Sequence, residues 1–248
     1  MPFKKGDFIL IDYVGTVSET EEVFDTTLEE VAKKKEIYRE GGIYEPALVV
    51  IGEGWVLKAL EEGLMNLELG KTEKIEIPPE KAFGNRDAEK VRLYPLRKLT
   101  AKGITPQVGM RLEVDGHLAT VRTIGSGRVL LDFNPPLAGK TLIYEVTVRK
   151  KLETIEEKIL ALIHRRIPQV DAEKFSLELS NGEVKIKIPE EAFYIEGLQL
   201  SKRGLFADIQ KFFPEIKALT FLETFRKAEP IEEKPASKET EKSTEGSQ

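Results

Sequence analysis

Chemistry in this chain cannot rest on thiols or on clustered imidazoles. There is no cysteine, which excludes a disulfide framework and a thiolate metal site. The two histidines, His117 and His164, stand far apart, so metal catalysis is not expected and no cofactor is implied. Gly52-Glu53-Gly54 and Gly125-Ser126-Gly127 read as turns, because neither has the spacing of a dinucleotide or nucleoside-triphosphate loop. What remains is a set of aromatic side chains, two of them beside a carboxylate: Tyr13 after Asp12, Phe24 before Asp25, then Phe83 and Tyr144. Taken singly, these are ordinary core aromatics. Asp25 has two open readings, a cap for a helix at Thr26-Thr27 or a polar group in an aromatic pocket.

The elements that must position these residues can be outlined from periodicity. Apolar and polar residues alternate over Phe8–Val17, as in a strand with one buried face. A charged stretch at 27–39 has Leu28, Val31 and Ile37 near helical spacing and predicts a short surface helix closing at Gly41-Gly42. Then come a strand at 47–51, a helix at 55–64 and a strand at 71–77 that ends in Pro78-Pro79. Strands at 91–96, 111–114, 119–124 and 128–133, separated by Asp115-Gly116 and Gly125-Ser126-Gly127, predict a meander of hairpins. After Asn134-Pro135-Pro136 a strand resumes at 141–150. The remainder reads as helix 153–166, strands 175–179 and 184–188 joined through Asn181-Gly182, helix 197–213 and strand 218–225. His164, on the charged first helix of that set, is expected to be exposed. Beyond residue 229 the chain is almost free of apolar residues and is expected to be a disordered tail, since it has too little surface to bury against its ordering entropy.

Five segments, met in order, carry a resemblance: Asp12-Tyr13-Val14-Gly15, Val23-Phe24-Asp25-Thr26, Gly52 through Glu61-Glu62-Gly63, Ala82-Phe83-Gly84-Asn85, and 137–146 beginning Leu137-Ala138-Gly139-Lys140. Any one occurs often by chance. Together they resemble the FKBP-type peptidyl-prolyl isomerases over about the first 150 residues, and the β insert between the last two looks like the SlyD-like branch, in particular its long archaeal members. The resemblance implies a bent antiparallel sheet around a short helix; with the inserted all-β domain and the C-terminal α-β-β-α-β domain read from the residue pattern, an α+β fold is expected. The implied layout is an isomerase domain from 1–87 and 133–151, an insert at 88–132, a C-terminal domain at 152–228 and a tail at 229–248. It further implies a proline pocket lined by Tyr13, Phe24, Asp25, Val56, Leu57, Leu60, Phe83 and Tyr144. Many members have Trp where Leu60 stands and Tyr where Phe83 stands. The missing hydroxyl removes a hydrogen bond of about 0.5–1.5 kcal/mol, so weaker peptide affinity is expected. Trp55 is not assigned to the pocket floor.

Such a pocket needs no nucleophile. The isomerisation barrier, roughly 18–20 kcal/mol, reflects amide resonance lost on twisting, and an apolar enclosure favours the less dipolar twisted state. Asp25 would act electrostatically, and the Leu57 N–H would donate to a substrate carbonyl.

For the insert the resemblance implies binding of unfolded chains, with Val91, Leu93, Tyr94, Leu96 and Leu99 as exposed apolar candidates; the plainer reading is a stabilising lid. Across 87–133, eight basic residues face five acidic ones, a net charge of +3 in a chain of net charge -5. The expected partners are therefore unfolded chains with X-Pro bonds. The C-terminal domain, whose second helix is rich in Leu and Phe, would bind clients, form a homodimer, or both. The competing reading is a non-catalytic chaperone or proline-peptide binder on the same scaffold. A nucleic-acid or ribosome adaptor is disfavoured by the acidic balance and a pI near 5.5. MPFKKGDFILIDYVG lacks the apolar core of a secretory signal and no stretch approaches a membrane span, so a cytoplasmic protein is expected. Charged residues at 33% with scarce Met resemble hyperthermophile composition.

Overall fold

The structure, a computed structural model, describes residues 2–225; the tail expected at 229–248 lies outside the described residues. Three sheets organise the chain. The first is antiparallel and contains β1 (Phe8–Val17), β2 (Val23–Thr26), β3 (Ala47–Val50), β4 (Thr72–Ile77) and β9 (Leu142–Leu152). β9 pairs with β1 along its whole length and with β4 on its other edge. The free edge of β1 is shared: β3 covers Phe8 to Ile11, and β2 covers Val14 to Thr16. Asp12 and Tyr13 fall in the gap. There Thr27 Oγ1 accepts from the Tyr13 N–H at 2.9 Å and Thr26 Oγ1 donates to the Tyr13 carbonyl at 2.8 Å, so the interrupted ladder leaves those backbone groups paired.

Two helices belong to this unit. α1 (Glu29–Lys34) is much shorter than the predicted 27–39, because only Ala32 is buried and Glu36 takes a left-handed φ of 58° that ends it. Its first residue follows Leu28, with no side-chain cap, so of the two open readings of Asp25 the capping one is not realised. α2 (Lys58–Leu64) starts three residues later than predicted and buries Leu60 and Leu64. It lies hard against β4: a Cβ on Gly63 would stand 2.6 Å from Ile75 Cδ1.

The insert contains β5 (Val91–Pro95), α3 (Leu96–Thr100), β6 (Arg111–Val114), β7 (His117–Gly125) and β8 (Arg128–Asp132). It is not all-β, because Leu96–Thr100 coils to bury Leu99 against the sheet. Nor is it a simple meander. β5 returns to pair with β8, giving the order β5-β8-β7-β6. Asp115-Gly116 and Ser126-Gly127 have positive φ at both positions, as tight hairpin turns require. Two strands of chain connect the insert to the first sheet and are tied together by Gly139 N–H to Gly84 O (2.8 Å) and by Asn134, whose side chain accepts from the Asp87 N–H and donates to its carbonyl.

The C-terminal unit contains α4 (Ile155–Arg166), β10 (Ser176–Ser180), β11 (Glu183–Lys187), α5 (Leu198–Phe212) and β12 (Ala218–Leu222), in the expected element order, with β12 parallel to β11. Its core does not close on itself. Phe8, Val50 and Leu152 of the first sheet are buried in the same apolar cluster as Ile159, Leu162, Ile163, Leu205 and Ile209. Trp55 packs there too, edge-on to Phe212 and under the Arg165 guanidinium at 3.9 Å. His164, expected to be exposed, is half-buried, with Nε2 2.5 Å from Glu45 Oε1 across the same interface. No helix of the described residues is long and apolar enough to cross a membrane.

Candidate active site

Strand alternation on β1 and β9 puts Tyr13 and Tyr144 on one face of the first sheet, and β2 adds Phe24. Tyr144 is buried at the centre. The Tyr13 ring lies 5.8 Å from it at 56°, and Phe24 lies 5.7 Å away, edge-on at 84°. Phe24 can sit low over β1 because residue 15 is glycine: a Cβ there would approach Phe24 Cζ to 2.7 Å. Leu60 of α2, 2% exposed, belongs to the same apolar cluster, with Tyr13, Phe24, Val56 and Leu57 packed around it.

Asp25 is the exposed polar group of this array. Its Oδ2 accepts from the Tyr13 hydroxyl at 2.8 Å and its Oδ1 from the Thr26 N–H at 3.0 Å, which fixes the carboxylate plane. Burial, then the bond to Asp25, pushes the Tyr13 phenol far above its ordinary range. Burial and the Asp25 charge push Tyr144 up to about 12. Both phenols therefore stay protonated near neutrality, and Tyr13 is a committed donor to Asp25. A carboxylate so engaged is an oriented negative charge and not a free proton acceptor.

A cavity of about 740 Å³ opens over Phe24, Asp25, Phe83, Leu137 and Tyr144. Its walls do not include Val56, Leu57 or Leu60, which pack in the apolar cluster of the first sheet, and Tyr13 faces an adjoining cavity. Phe83 is 42% exposed at the rim. The opposite wall comes from the segment after α1: Ile37, Tyr38, Ile43 and Tyr44, with the two tyrosine rings stacked 5.3 Å apart. Sequence reasoning missed this wall. The available signal was a pair of aliphatic-aromatic dipeptides, Ile37-Tyr38 and Ile43-Tyr44, on either side of Gly41-Gly42. Among the described residues no backbone carbonyl accepts from the Leu57 N–H, which precedes α2.

In the insert, Leu93 is 59% exposed while Val91, Tyr94 and Leu96 are half-buried. Leu99 is buried in the insert's own core, which corrects the expectation that it lies on the surface. Val108, Met110, Leu118 and Ile124, not anticipated, are exposed instead.

Comparison with known proteins bears on this arrangement. A "Short-type peptidyl-prolyl cis-trans isomerase" of Methanocaldococcus jannaschii is 36% identical over 146 residues, 59% of this chain and 92% of the relative. The chain belongs to the FKBP-type peptidyl-prolyl cis-trans isomerase family. An "FKBP-type peptidyl-prolyl cis-trans isomerase SlyD" of Treponema pallidum is 34% identical over 47% of this chain and 68% of the relative. An "FKBP-type 16 kDa peptidyl-prolyl cis-trans isomerase" of Escherichia coli is 28% identical over 42% of this chain and 72% of the relative. Residues 92–137 match the family description "FKBP26, IF domain", and residues 155–226 match "FKBP26_C-terminal". Within this FKBP-type chain the two family matches cover most of the insert and of the C-terminal unit, while the aromatic array is built from β1, β2 and β9 of the first sheet.

Proposed function

We propose that the cavity over Phe24, Asp25 and Tyr144 catalyses cis/trans isomerisation of X-Pro bonds in unfolded or partly folded protein chains, within a cytosolic folding enzyme. The observation that carries this reading is the aromatic layer of Tyr13, Phe24 and Tyr144 with a single oriented carboxylate at its edge. An amide losing resonance needs a low-polarity face and a held backbone; the aromatic layer supplies the face, the charge of Asp25 is tied to Tyr13, and Glu36 and Arg39 line the cavity from the segment after α1. Asp25 orients the amide dipole, and the Leu57 N–H donates to a flanking carbonyl. Phe83 supplies apolar surface at the rim without a hydrogen bond, and Leu60 packs in the apolar cluster that supports the aromatic layer.

The insert at 88–132 supplies a second site, which holds the unfolded chain close to the cavity and so raises the local concentration of its prolines. Support comes from the exposed apolar side chains Leu93, Val108 and Leu118 on a segment, 87–133, with a net charge of +3. The C-terminal unit is the self-association surface of this reading, since Tyr194 and Leu200 expose 82% and 75% of their surface.

The test is kinetic. Exchange NMR on a short X-Pro peptide with wild type, Asp25→Ala and Tyr144→Ala should show catalysis that both substitutions lower. A wild-type rate equal to the uncatalysed one would leave a proline-peptide binder or chaperone without catalysis. Sedimentation of wild type against Leu200→Glu tests self-association; a monomer at all concentrations in both would remove that part.

A further inference from the structure

A second cavity, of about 620 Å³, lies between the first sheet and helix α4. Its floor is apolar: Leu10 and Leu48 from β1 and β3, and Leu160 and Ala161 from α4. Its rim mixes signs, with Glu45, Glu173 and Lys150 among its polar groups. The cavity does not end blindly. Asp25, Thr26 and Ile43 line both it and the proline cavity, and Tyr13 faces it from the far side of its bond to Asp25. The two hollows thus meet at the catalytic carboxylate. The wall contributed by α4 is held in place by the His164 bond to Glu45 and the stacking of Arg165 on Trp55.

We propose that this cavity is a subsite for the polypeptide flanking the proline, and that α4 thereby selects chains with a large aliphatic side chain a few residues from the X-Pro bond. The proposal rests on the isomerase reading of the first cavity. A chain seated there that runs on past Asp25 enters the adjoining hollow, which offers a leucine side chain an aliphatic floor, while the mixed rim meets a peptide backbone without selecting either charge. The C-terminal unit then acts as one wall of the substrate site.

The experiment uses the full chain and two kinds of peptide: a four-residue X-Pro peptide, and ten-residue peptides in which a single leucine is moved stepwise away from the proline. Wild type should show one leucine placement that raises kcat/KM and tightens Kd by fivefold or more, with shifts of the Ala161 and His164 amide NMR signals. Ala161→Trp on α4 and Ala172→Trp in the segment after α4, both of which line the cavity, should fill it and remove that gain while leaving the four-residue rate within twofold. A flat leucine scan, or a gain that survives in either folded variant, overturns the proposal. So do unmoved α4 signals on peptide binding, the result expected if a second copy or the chain's own C-terminal segment fills the cavity. If the four-residue peptide is not isomerised at all, the isomerase reading fails, and Kd and the α4 signals of wild type still decide whether the cavity takes the leucine.

Discussion

Gly15 lies beneath the Phe24 ring, and a methyl group there would have to displace the aromatic wall. Gly15→Ala should therefore lower kcat/KM on short peptides about tenfold, roughly 1.4 kcal/mol in the barrier, and destabilise the fold by about 1–3 kcal/mol through overpacking. Near-wild-type kinetics would show that Phe24 is not part of the catalytic wall. The Tyr13 to Asp25 bond makes a separate prediction. Asp25→Asn keeps an acceptor for Tyr13 but removes the charge, so a loss of activity as large as that of Asp25→Ala would mark charge as the working property, and near-full activity would mark position.

At the scale of elements, two local arrangements can be tested. α4 begins with a capping box: Thr154 Oγ1 accepts from the Glu157 N–H, and the Glu157 carboxylate accepts from the N–H groups of Glu153 and Thr154. Thr154→Ala should cost about 1 kcal/mol in urea titrations, and a smaller loss would mean that the packing of Ile159 and Leu162 alone holds the helix start. The second arrangement is the junction of the insert. Asp132 is buried, which pushes its pKa upward, but hydrogen bonds from Asn134 and Arg122 and the charge of Arg86 outweigh burial and hold it at about 2. Because the folded value lies below the unfolded one, this stabilisation is complete above about pH 4 and is lost as pH falls toward 2. It amounts to about 2 kcal/mol. Hydrogen exchange at pH 5 and near pH 2.5 should show the junction loosening in wild type and already loose in Asp132→Asn; equal protection in the variant would remove Asp132 from this role.

Over the whole molecule, the decisive contact is that between the first sheet and the C-terminal unit. Phe8, Val50, Leu152 and Trp55 are buried or packed within the core that holds α4 and α5, and Lys211 of α5 pairs with Glu53. Trp55→Ala should therefore separate one cooperative urea transition into two, with a loss of about 2 kcal/mol in the less stable part. A single transition at the wild-type midpoint would show that the interface contributes nothing to coupling. Among the described residues the apolar core of the insert is separate from this one, and the Asn134 and Gly139 contacts tie together the two segments that join the insert to the first sheet. Leu93→Ser with Leu118→Ser should lower catalysis of proline-limited refolding by fivefold or more and leave the short-peptide rate unchanged, and parallel losses in both assays would count against client capture.

Local chemistry was legible in the residues themselves. Asp115-Gly116, Gly125-Ser126-Gly127 and Asn181-Gly182 marked hairpins because positive φ at consecutive positions is tolerated by few residue types, and strand alternation placed Tyr13 and Tyr144 because its period is two. The aromatic array followed from motif order along the chain. The tertiary structure alone decided what covers that array. Ile37 and Tyr38 end a charged stretch whose helix stops at Lys34, short of the spacing that included Ile37, and Ile43 and Tyr44 lie beyond Gly41-Gly42, so no periodicity marks the four as a wall. The same holds for Leu99, whose apolar character fits a surface or a core equally until the coil of α3 turns it inward. Trp55 and His164 went unassigned or were expected outside for a related reason: a contact between segments more than 100 residues apart depends on how two units dock, and docking leaves no repeat in either one.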